Sequence, residues 1–321
     1  MVVRLFSPAD YPAVAAVHSA ALPDDPRTAE EVRFSDEHRD PRCLAQRWVA
    51  EDGGQVVGFA GYDQSAILYH PRKFLLHGAV RPGHQFRGIG SALYDRLRAA
   101  LVSADPISLR VQEVAEDRAP TIHFLQTRGF REVFRAWELL LNLQSARGAA
   151  PVESGSAMQT QGLEIHTLRE LESDSARDAK LYDLVREVQA DEPTPEPVNL
   201  PSYEHFVNNM LAAPELIPDA FFVAVSRSSG EYAGLSFLWS TPDAALVRGG
   251  LTGVRRQYRR RGLAFALKLR TIEFARSHGH SQISTSNAAP NQAMLALNER
   301  LGFVKQRAFI DFVLEPGDAT A

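Results

Sequence analysis

Short apolar, β-rich runs flank a polar turn in RWVAEDGGQVVGFAGY, residues 47–62, where Asp52-Gly53-Gly54 supplies the turn. The same arrangement returns in AFFVAVSRSSGEYAGLSFLW, residues 220–239, around Ser228-Ser229-Gly230. Both patterns predict β-hairpins. Each is preceded by a short strand pattern (VVRLF; LEIHTL), a helical stretch (YPAVAAVHSAAL; ARDAKLYDLVREVQ) and a polar, proline-containing segment. Each is followed by a strand (FLLHGAV; ALVRGGLTGV), a glycine loop and an amphipathic helix. The first of these helices aligns Leu93, Leu97 and Leu101 on one face, and the second aligns Phe265, Leu269 and Ile272. A further strand (ISLRVQ; SQISTSN), a short helix ending in Gly-Phe and a long β-rich tail (REVFRAWELLLNL; VKQRAFIDFVLE) complete both series.

The two series keep register. In QFRGIGSALYDRL (85–97) and RRRGLAFALKLRTIEF (259–274), Gly88 and Gly90 stand 174 residues before Gly262 and Ala264. The same offset links Val80-Arg81 to Val254-Arg255 and Val49-Ala50 to Val223-Ala224, while Gly129-Phe130 and Gly302-Phe303 are 173 apart. A near-constant offset of that size indicates a duplicated unit of domain size, and 321 residues suffice for two such cores. The expected fold is α/β (α+β), a tandem duplication of a mixed, mostly antiparallel sheet flanked by helices. The expected domains are 1–143 and 163–317, joined by a linker at 144–162, QSARGAAPVESGSAMQTQG, which is poor in large apolar side chains.

Composition narrows the function classes. The net charge of −4 divides into −1 before residue 160 and −3 after it, so neither half is a basic module and nucleic acid is disfavoured as a partner. A single cysteine, Cys43, excludes an internal disulfide and a cysteine metal framework, and ten histidines show no ligand spacing, so no metal is expected. No leader pattern or membrane-length apolar run is present, which points to a cytoplasmic protein, a monomer or homodimer.

A glycine loop between a strand and a helix aims unpaired backbone N–H groups, and the positive end of the helix dipole, at one point. That point suits a phosphate or diphosphate, and glycine lets it approach without meeting a Cβ. Arg87 would add charge at the first loop. The run RRQYRRR (255–261) reads as a solvated edge, a nucleic-acid contact or, through Arg259 and Arg261, part of the second phosphate loop.

The arrangements Gln85-x-x-Gly88-x-Gly90 and Arg259-x-x-Gly262-x-Ala264 resemble the [Q/R]-x-x-G-x-[G/A] motif of the GNAT acetyltransferase superfamily. NQAMLALNERLGF, Asn291 to Phe303, is similar to that family's second signature. The layout is similar to two-copy members of the mycothiol synthase type. The resemblance implies acetyl-CoA as cofactor, its diphosphate on the loop and its pantetheine arm between the strands beside the motif helix. It would lie against Val80, Gln85, Arg87, Gly88, Ile89, Gly90 and Ser91 in the first copy. In the second it would lie against Val254, Arg259, Arg261, Gly262, Leu263, Ala264, Asn287 and Asn291. For Asn291, helix capping is the competing role.

The implied reaction is transfer of an acetyl group to a primary amine of a small molecule, by direct attack in a ternary complex. Alternatives are acetylation of a thiol precursor and a non-catalytic acyl-CoA sensor or scaffold. Where many family members carry a tyrosine acid, four residues before the glycine of Gly-Phe, this chain has Leu125 and Asn298. A thiolate is a tolerable leaving group, but an amine with a lysine-like pKa is about 99.9% protonated at pH 7, so a base matters more than an acid. His77, Glu113 and Asn298 are the candidate catalytic residues; Thr252, Ser284 and Ser286, on the matching strands of the second copy, are poor bases. Because Asn291 is matched by Arg118 in the first copy, the second copy is expected to carry catalysis and the first to be degenerate. The polar segments at 22–40 and 191–206 are expected to frame acceptor sites.

Overall fold

A computed structural model describes residues 1–65, 69–144, 162–194 and 202–316. The linker reading therefore lies, from 145 to 161, outside the described residues. The strands are β1 (Val2–Leu5), β2 (Gln46–Asp52), β3 (Gln55–Asp63), β4 (Lys73–Val80), β5 (Ser108–Ala115), β6 (Arg131–Asn142), β7 (Leu163–Thr167), β8 (Leu216–Ser226), β9 (Tyr232–Ser240), β10 (Leu246–Val254), β11 (Gln282–Ala288) and β12 (Val304–Leu314). The described helices are α1 (Tyr11–Ala21), α2 (Ala29–Glu37), α3 (Ile89–Leu101), α4 (Ala119–Gln126), α5 (Arg177–Gln189), the single turn α6 (Tyr203–Phe206), α7 (Leu263–Ser277) and α8 (Gln292–Arg300).

These elements form two compact units, one of Met1–Val133 with the chain from Ile310 onward, the other of Phe134–Phe309. In the first unit the strand order is β1-β2-β3-β4-β5-β12, and in the second it is β6-β11-β10-β9-β8-β7. The strand that ends each half of the sequence thus completes the sheet of the other half. Ile310, Phe312 and Leu314 pack with α3 and β4 in the first core, and Leu139 and Leu141 pack with β11 and α7 in the second.

The hairpins form as their turns require. Gly53 and Gly54, at φ 57° and 78°, make the two-residue turn between β2 and β3. β1 to β4 pair antiparallel, as do β7 to β10 and β6 with β11, whereas β4 runs parallel to β5 and β10 to β11. On α3, Leu93, Leu97 and Leu101 are all buried, as their four-residue spacing on one helix face predicts. On α7, Leu269 and Ile272 are buried but Phe265 is half-buried, and Leu263, Ala266, Leu267 and Ala275 are buried as well. This helix packs on two sides, so a single-stripe reading understates its buried surface.

The parallel pairs position the site. β4 and β5 pair only at Lys73–Ser108, Phe74–Leu109 and Leu75–Arg110, although both strands run five residues further. β10 and β11 likewise pair only at Leu246–Gln282, Val247–Ile283 and Arg248–Ser284. Beyond those pairs the strands part, and each faces its neighbour with backbone N–H and C=O groups that the parallel ladder does not use.

Candidate functional site

Gly88 caps α3 at φ 81° and Gly262 caps α7 at φ 77°, both left-handed. Two residues earlier in each loop, Phe86 and Arg260 also stand at φ 60°, a conformation that costs a non-glycine residue roughly 1–2 kcal/mol. Alternating left-handed residues turn successive N–H groups to one side, the geometry of an anion-binding nest. A Cβ built at Gly88 or Gly262 meets nothing within 4 Å, so the space before each helix is open. At Gly90 the nearest atom to such a Cβ is on the Phe124 ring, 3.6 Å away.

The loops are held identically. Gln85 Nε2 donates to the Val80 carbonyl at 3.0 Å, and Arg259 Nε donates to the Val254 carbonyl at 2.9 Å. The first motif residue in each copy therefore ties the loop back to the end of the preceding strand. Ser91 Oγ accepts from Arg128 at 2.8 Å, and that guanidinium stacks 3.5 Å above the Phe124 ring. Leu263 and Ile89 are core residues of the two helix starts; Ala264 is half-buried.

Charge distinguishes the loops. Arg87 is exposed at the first. At the second, Arg259 donates to Asp191 at 2.5 Å, Arg256 pairs with the same carboxylate, and Arg255 reaches Glu187 at 2.6 Å. The hydrogen bonds from Arg256 and Arg259 hold the Asp191 carboxyl far below its usual range. Arg261 stacks over Tyr258 at 5.7 Å. Much of the arginine run is thus spent on ion pairs within its own unit. Asp191 opens the polar segment expected to frame an acceptor site, yet it turns to the loop; residues 195–201 lie outside the described ones.

The candidate catalytic residues separate. His77 stands on β4 two residues past the last pair with β5. Its ring fits because Gly61 faces it: a Cβ at Gly61 would be 2.7 Å from Nε2. Nδ1 lies 3.9 Å from Asp63 Oδ2, and the side chain keeps 35% exposure. Desolvation lowers its pKa, opposed by Asp63 and reinforced by Arg47 and Arg39, so the imidazole is neutral at pH 7. Glu113 is exposed, at φ 55°, in a kink of β5 whose backbone N–H donates to Asp311 Oδ1 at 3.0 Å.

Asn298, fully buried, donates to Asn287 Oδ1 at 2.5 Å, while its own Oδ1 is buried without a partner. Asn291 Oδ1 accepts the Met294 N–H at 3.2 Å and caps α8. Arg118, its counterpart, donates to the Ala21 carbonyl.

His77 opens onto a cavity of roughly 400 Å³ in the first unit, walled by Leu5, Phe6 and Ala45 and by the polar Asp36, Arg39, Gln46, Arg47 and Tyr62. Asp36 and Arg39 come from the first polar segment. Arg47 lies 4.9 Å over the Phe6 ring and donates to Asp36 at 2.9 and 3.2 Å, and Arg39 bridges Asp36 at 2.7 Å and Asp63 at 3.4 Å. Desolvation raises the Asp36 pKa, but the two guanidiniums overcome it and hold the carboxyl low.

The matching face of the second unit is occupied. The residue 174 positions after His77, Leu251, packs against a core that includes Phe221, Phe237 and Val188. Phe237 lies on Gly250 so closely that a Cβ there would be 2.1 Å from the ring, and Val188 would be 1.9 Å from a Cβ at Gly253. Thr252 Oγ1 is hydrogen-bonded to Ser236 Oγ at 2.8 Å.

The model of the GNAT acetyltransferase family matches residues 11–130 and again 181–303. The chain belongs to the GNAT acetyltransferase family. It is accordingly an acyltransferase, and the family's members use acetyl-CoA. A GCN5-related N-acetyltransferase from Sphaerobacter thermophilus superposes with a TM-score of 0.69 at 21% identity, covering 98% of this chain and 95% of that one. A tandem GNAT protein from the clavulanic acid biosynthesis pathway, solved without acetyl-CoA, gives 0.68 at 20% identity, with 98% of both chains covered. A glucosamine N-acetyltransferase region of a fungal multi-domain β-N-acetylglucosaminidase gives 0.71 at 15% identity, over 98% of this chain and 38% of that one. These likenesses establish the tandem fold. No curated protein matches the chain.

Sequence reasoning missed four features: the left-handed Phe86 and Arg260, the role of Asp311, the pairing of Gly61 with His77, and the capture of the loop arginines by Asp191. The first leaves a trace, since both loops carry their motif at one spacing. The others depend on long-range contacts that no local pattern encodes.

Proposed function

We propose that this protein is an acetyl-CoA-dependent N-acetyltransferase acting on a primary amine of a small molecule, and that transfer takes place in the first unit. The observation that carries this reading is the coincidence, in that unit, of an open glycine loop, an unzipped β4–β5 pair and a polar cavity lined by His77. In the second unit the loop is also open, but Phe237, Val188 and Leu251 fill the matching face. That contrast supports a division of labour opposite to the one expected from Asn291, whose side chain is engaged in capping α8.

Acetyl-CoA supplies a thioester whose carbonyl carbon is the electrophile. The backbone N–H groups at Gly88, Ile89, Gly90 and Ser91 hold its diphosphate at the helix N-terminus, with Arg87 at the rim. The unpaired edge of β4 between Leu76 and Val80 offers hydrogen bonds to the amides of the pantetheine arm. Neutral His77 accepts a proton from the attacking amine, directly or through one water. The departing thiolate, with a thiol pKa near 8.5, leaves without a dedicated acid, in keeping with Leu125 where the family often has tyrosine. In the second unit Asn287, on β11, is half-buried and is held by the fully buried Asn298, which leaves Asn287 the one of the two within reach of a pantetheine amide.

The second unit fits the alternative reading, an acyl-CoA-holding module without transfer, since its loop is preserved and its acceptor face is packed. No described helix is long and apolar enough to cross a membrane, and the lone, buried Cys43 fits a reducing cytoplasm. The reaction is tested by mixing the protein with acetyl-CoA and a panel of small amines, following free thiol and the mass of the acetylated product. Stoichiometric thiol and acetylamine support it; acetyl-CoA binding with no product from any amine favours the sensor.

A further inference from the structure

The cavity beside His77 carries information about what is acetylated. The ionic groups on its lining are Asp36, Arg39 and Arg47; Asp63, off the lining, lies 3.4 Å from Arg39 and 3.9 Å from His77, so the cluster around the cavity holds two carboxylates and two guanidiniums beside a neutral His77. A polyamine would need surplus carboxylates, and a polyanion surplus guanidiniums. A cluster balanced in this way is complementary to a ligand that carries one charge of each sign.

The two signs are also close together. Arg39 Nη1 and His77 Nδ1 approach the same oxygen, Asp63 Oδ2, at 3.4 and 3.9 Å. An amine placed at His77 and an anionic group placed at Arg39 are therefore separated by only a few bonds. The arginines differ in freedom: Arg47 is clamped between Asp36 and the Phe6 ring, whereas Arg39 divides its contacts between two aspartates. When an ammonium takes Asp63, Arg39 can exchange that contact for a ligand carboxylate, so no charge is left unpaired. Leu5, Phe6 and Ala45 supply an apolar wall, and a cavity of roughly 400 Å³ lies in the range for small ligands.

We infer that the acceptor is an amino acid or a close relative, bound as a zwitterion, with its amine at His77 and Asp63 and its carboxylate at Arg39. This deepens the reading of the first unit as the transferring one and rests on it. The bound ammonium gives one proton to the His77 imidazole and becomes the neutral amine; its nitrogen attacks the thioester carbonyl, the new N–C bond forms, the C–S bond breaks with its electron pair leaving on sulfur, and the second N–H proton passes to that thiolate.

The test separates binding from chemistry. Calorimetry without acetyl-CoA compares the twenty protein amino acids with their carboxamides, which keep the amine and lose the carboxylate charge. At least one free amino acid should bind tenfold or more tightly than its own carboxamide, and Arg39→Leu should abolish that difference. Because Arg39→Leu removes the ion pairs to Asp36 and Asp63, its melting temperature is measured beside that of Arg39→Lys, which should keep part of the preference. Equal binding of acid and carboxamide, or binding of neither across the panel, overturns the inference. A preserved preference without acetyl transfer on adding acetyl-CoA leaves the binding site standing and contradicts the enzymatic reading instead.

Discussion

At the scale of single residues, the account turns on His77. Its neutral form is stabilised by desolvation and by Arg47 and Arg39, so at pH 7 the ring is unprotonated, while Asp63 opposes the loss of basicity that the same shift brings. His77→Gln keeps a polar side chain of similar reach but removes the basic nitrogen. Because a positioned base contributes about 10²–10⁴-fold, kcat should fall at least a hundredfold while acetyl-CoA affinity changes little. Steady-state kinetics with calorimetry checks both. The same residue makes a stability prediction. Its folded pKa lies below the unfolded value of 6.5, so the unfolded chain binds the extra proton as pH drops below 6.5. Its contribution is complete above pH 6.5 and is lost as pH falls toward the folded pKa. The melting temperature of His77→Gln should therefore decline less between pH 6.5 and 4.5 than that of the parent. An identical decline would show that His77 is not desolvated as described. His77 could be nominated from the sequence because it is a titratable residue in an apolar strand. Its neighbours could not, since Asp36, Arg39, Asp63 and Gly61 converge only after β3, β4 and α2 have packed.

At the scale of elements, both glycine loops were legible. The spacing from the motif's first residue to its glycines is local, and duplication repeats it. What was not legible is how the chain distributes cost around them. Phe86 and Arg260 adopt left-handed backbone in each loop, a strain held in place by Gln85 and Arg259 clamping the loop to the strand end. Gln85→Ala should loosen that clamp and weaken acetyl-CoA binding several-fold by calorimetry, with little change in melting temperature because Gln85 is exposed. Gly61→Ala makes a sharper demand: its Cβ would lie 2.7 Å from the His77 ring and 2.8 Å from the Gln46 carbonyl. The substitution should cost about 1–3 kcal/mol in chemical denaturation, as overpacking does, and reduce kcat along with His77→Gln.

At the scale of the whole chain, duplication was readable from the constant offset, but the exchange of terminal strands was not. Both tails are β-rich and similarly apolar, and nothing in their composition says which sheet they enter. The exchange has a consequence at the site. Asp311, on the last strand, is only 7% exposed and accepts the Glu113 N–H at 3.0 Å, holding the kink in β5 beside the diverging strands. Asp311→Ala should leave that donor without its acceptor, at a cost of about 1–3 kcal/mol in stability. Duplication also frames the most direct test. If transfer belongs to the first unit, its loop must be indispensable and the second loop must not be. A side chain added at Gly88 or Gly262 meets no neighbour, and the backbone strain it brings at φ 81° and 77° is closely matched between the two loops. Gly88→Asp and Gly262→Asp thus place matched carboxylates at the two anion sites. The decisive measurement compares the acetyl-CoA turnover of these two variants with one active amine. Loss of turnover in Gly88→Asp with turnover retained in Gly262→Asp is the predicted result; retention in Gly88→Asp with loss in Gly262→Asp contradicts the assignment of catalysis to the first unit.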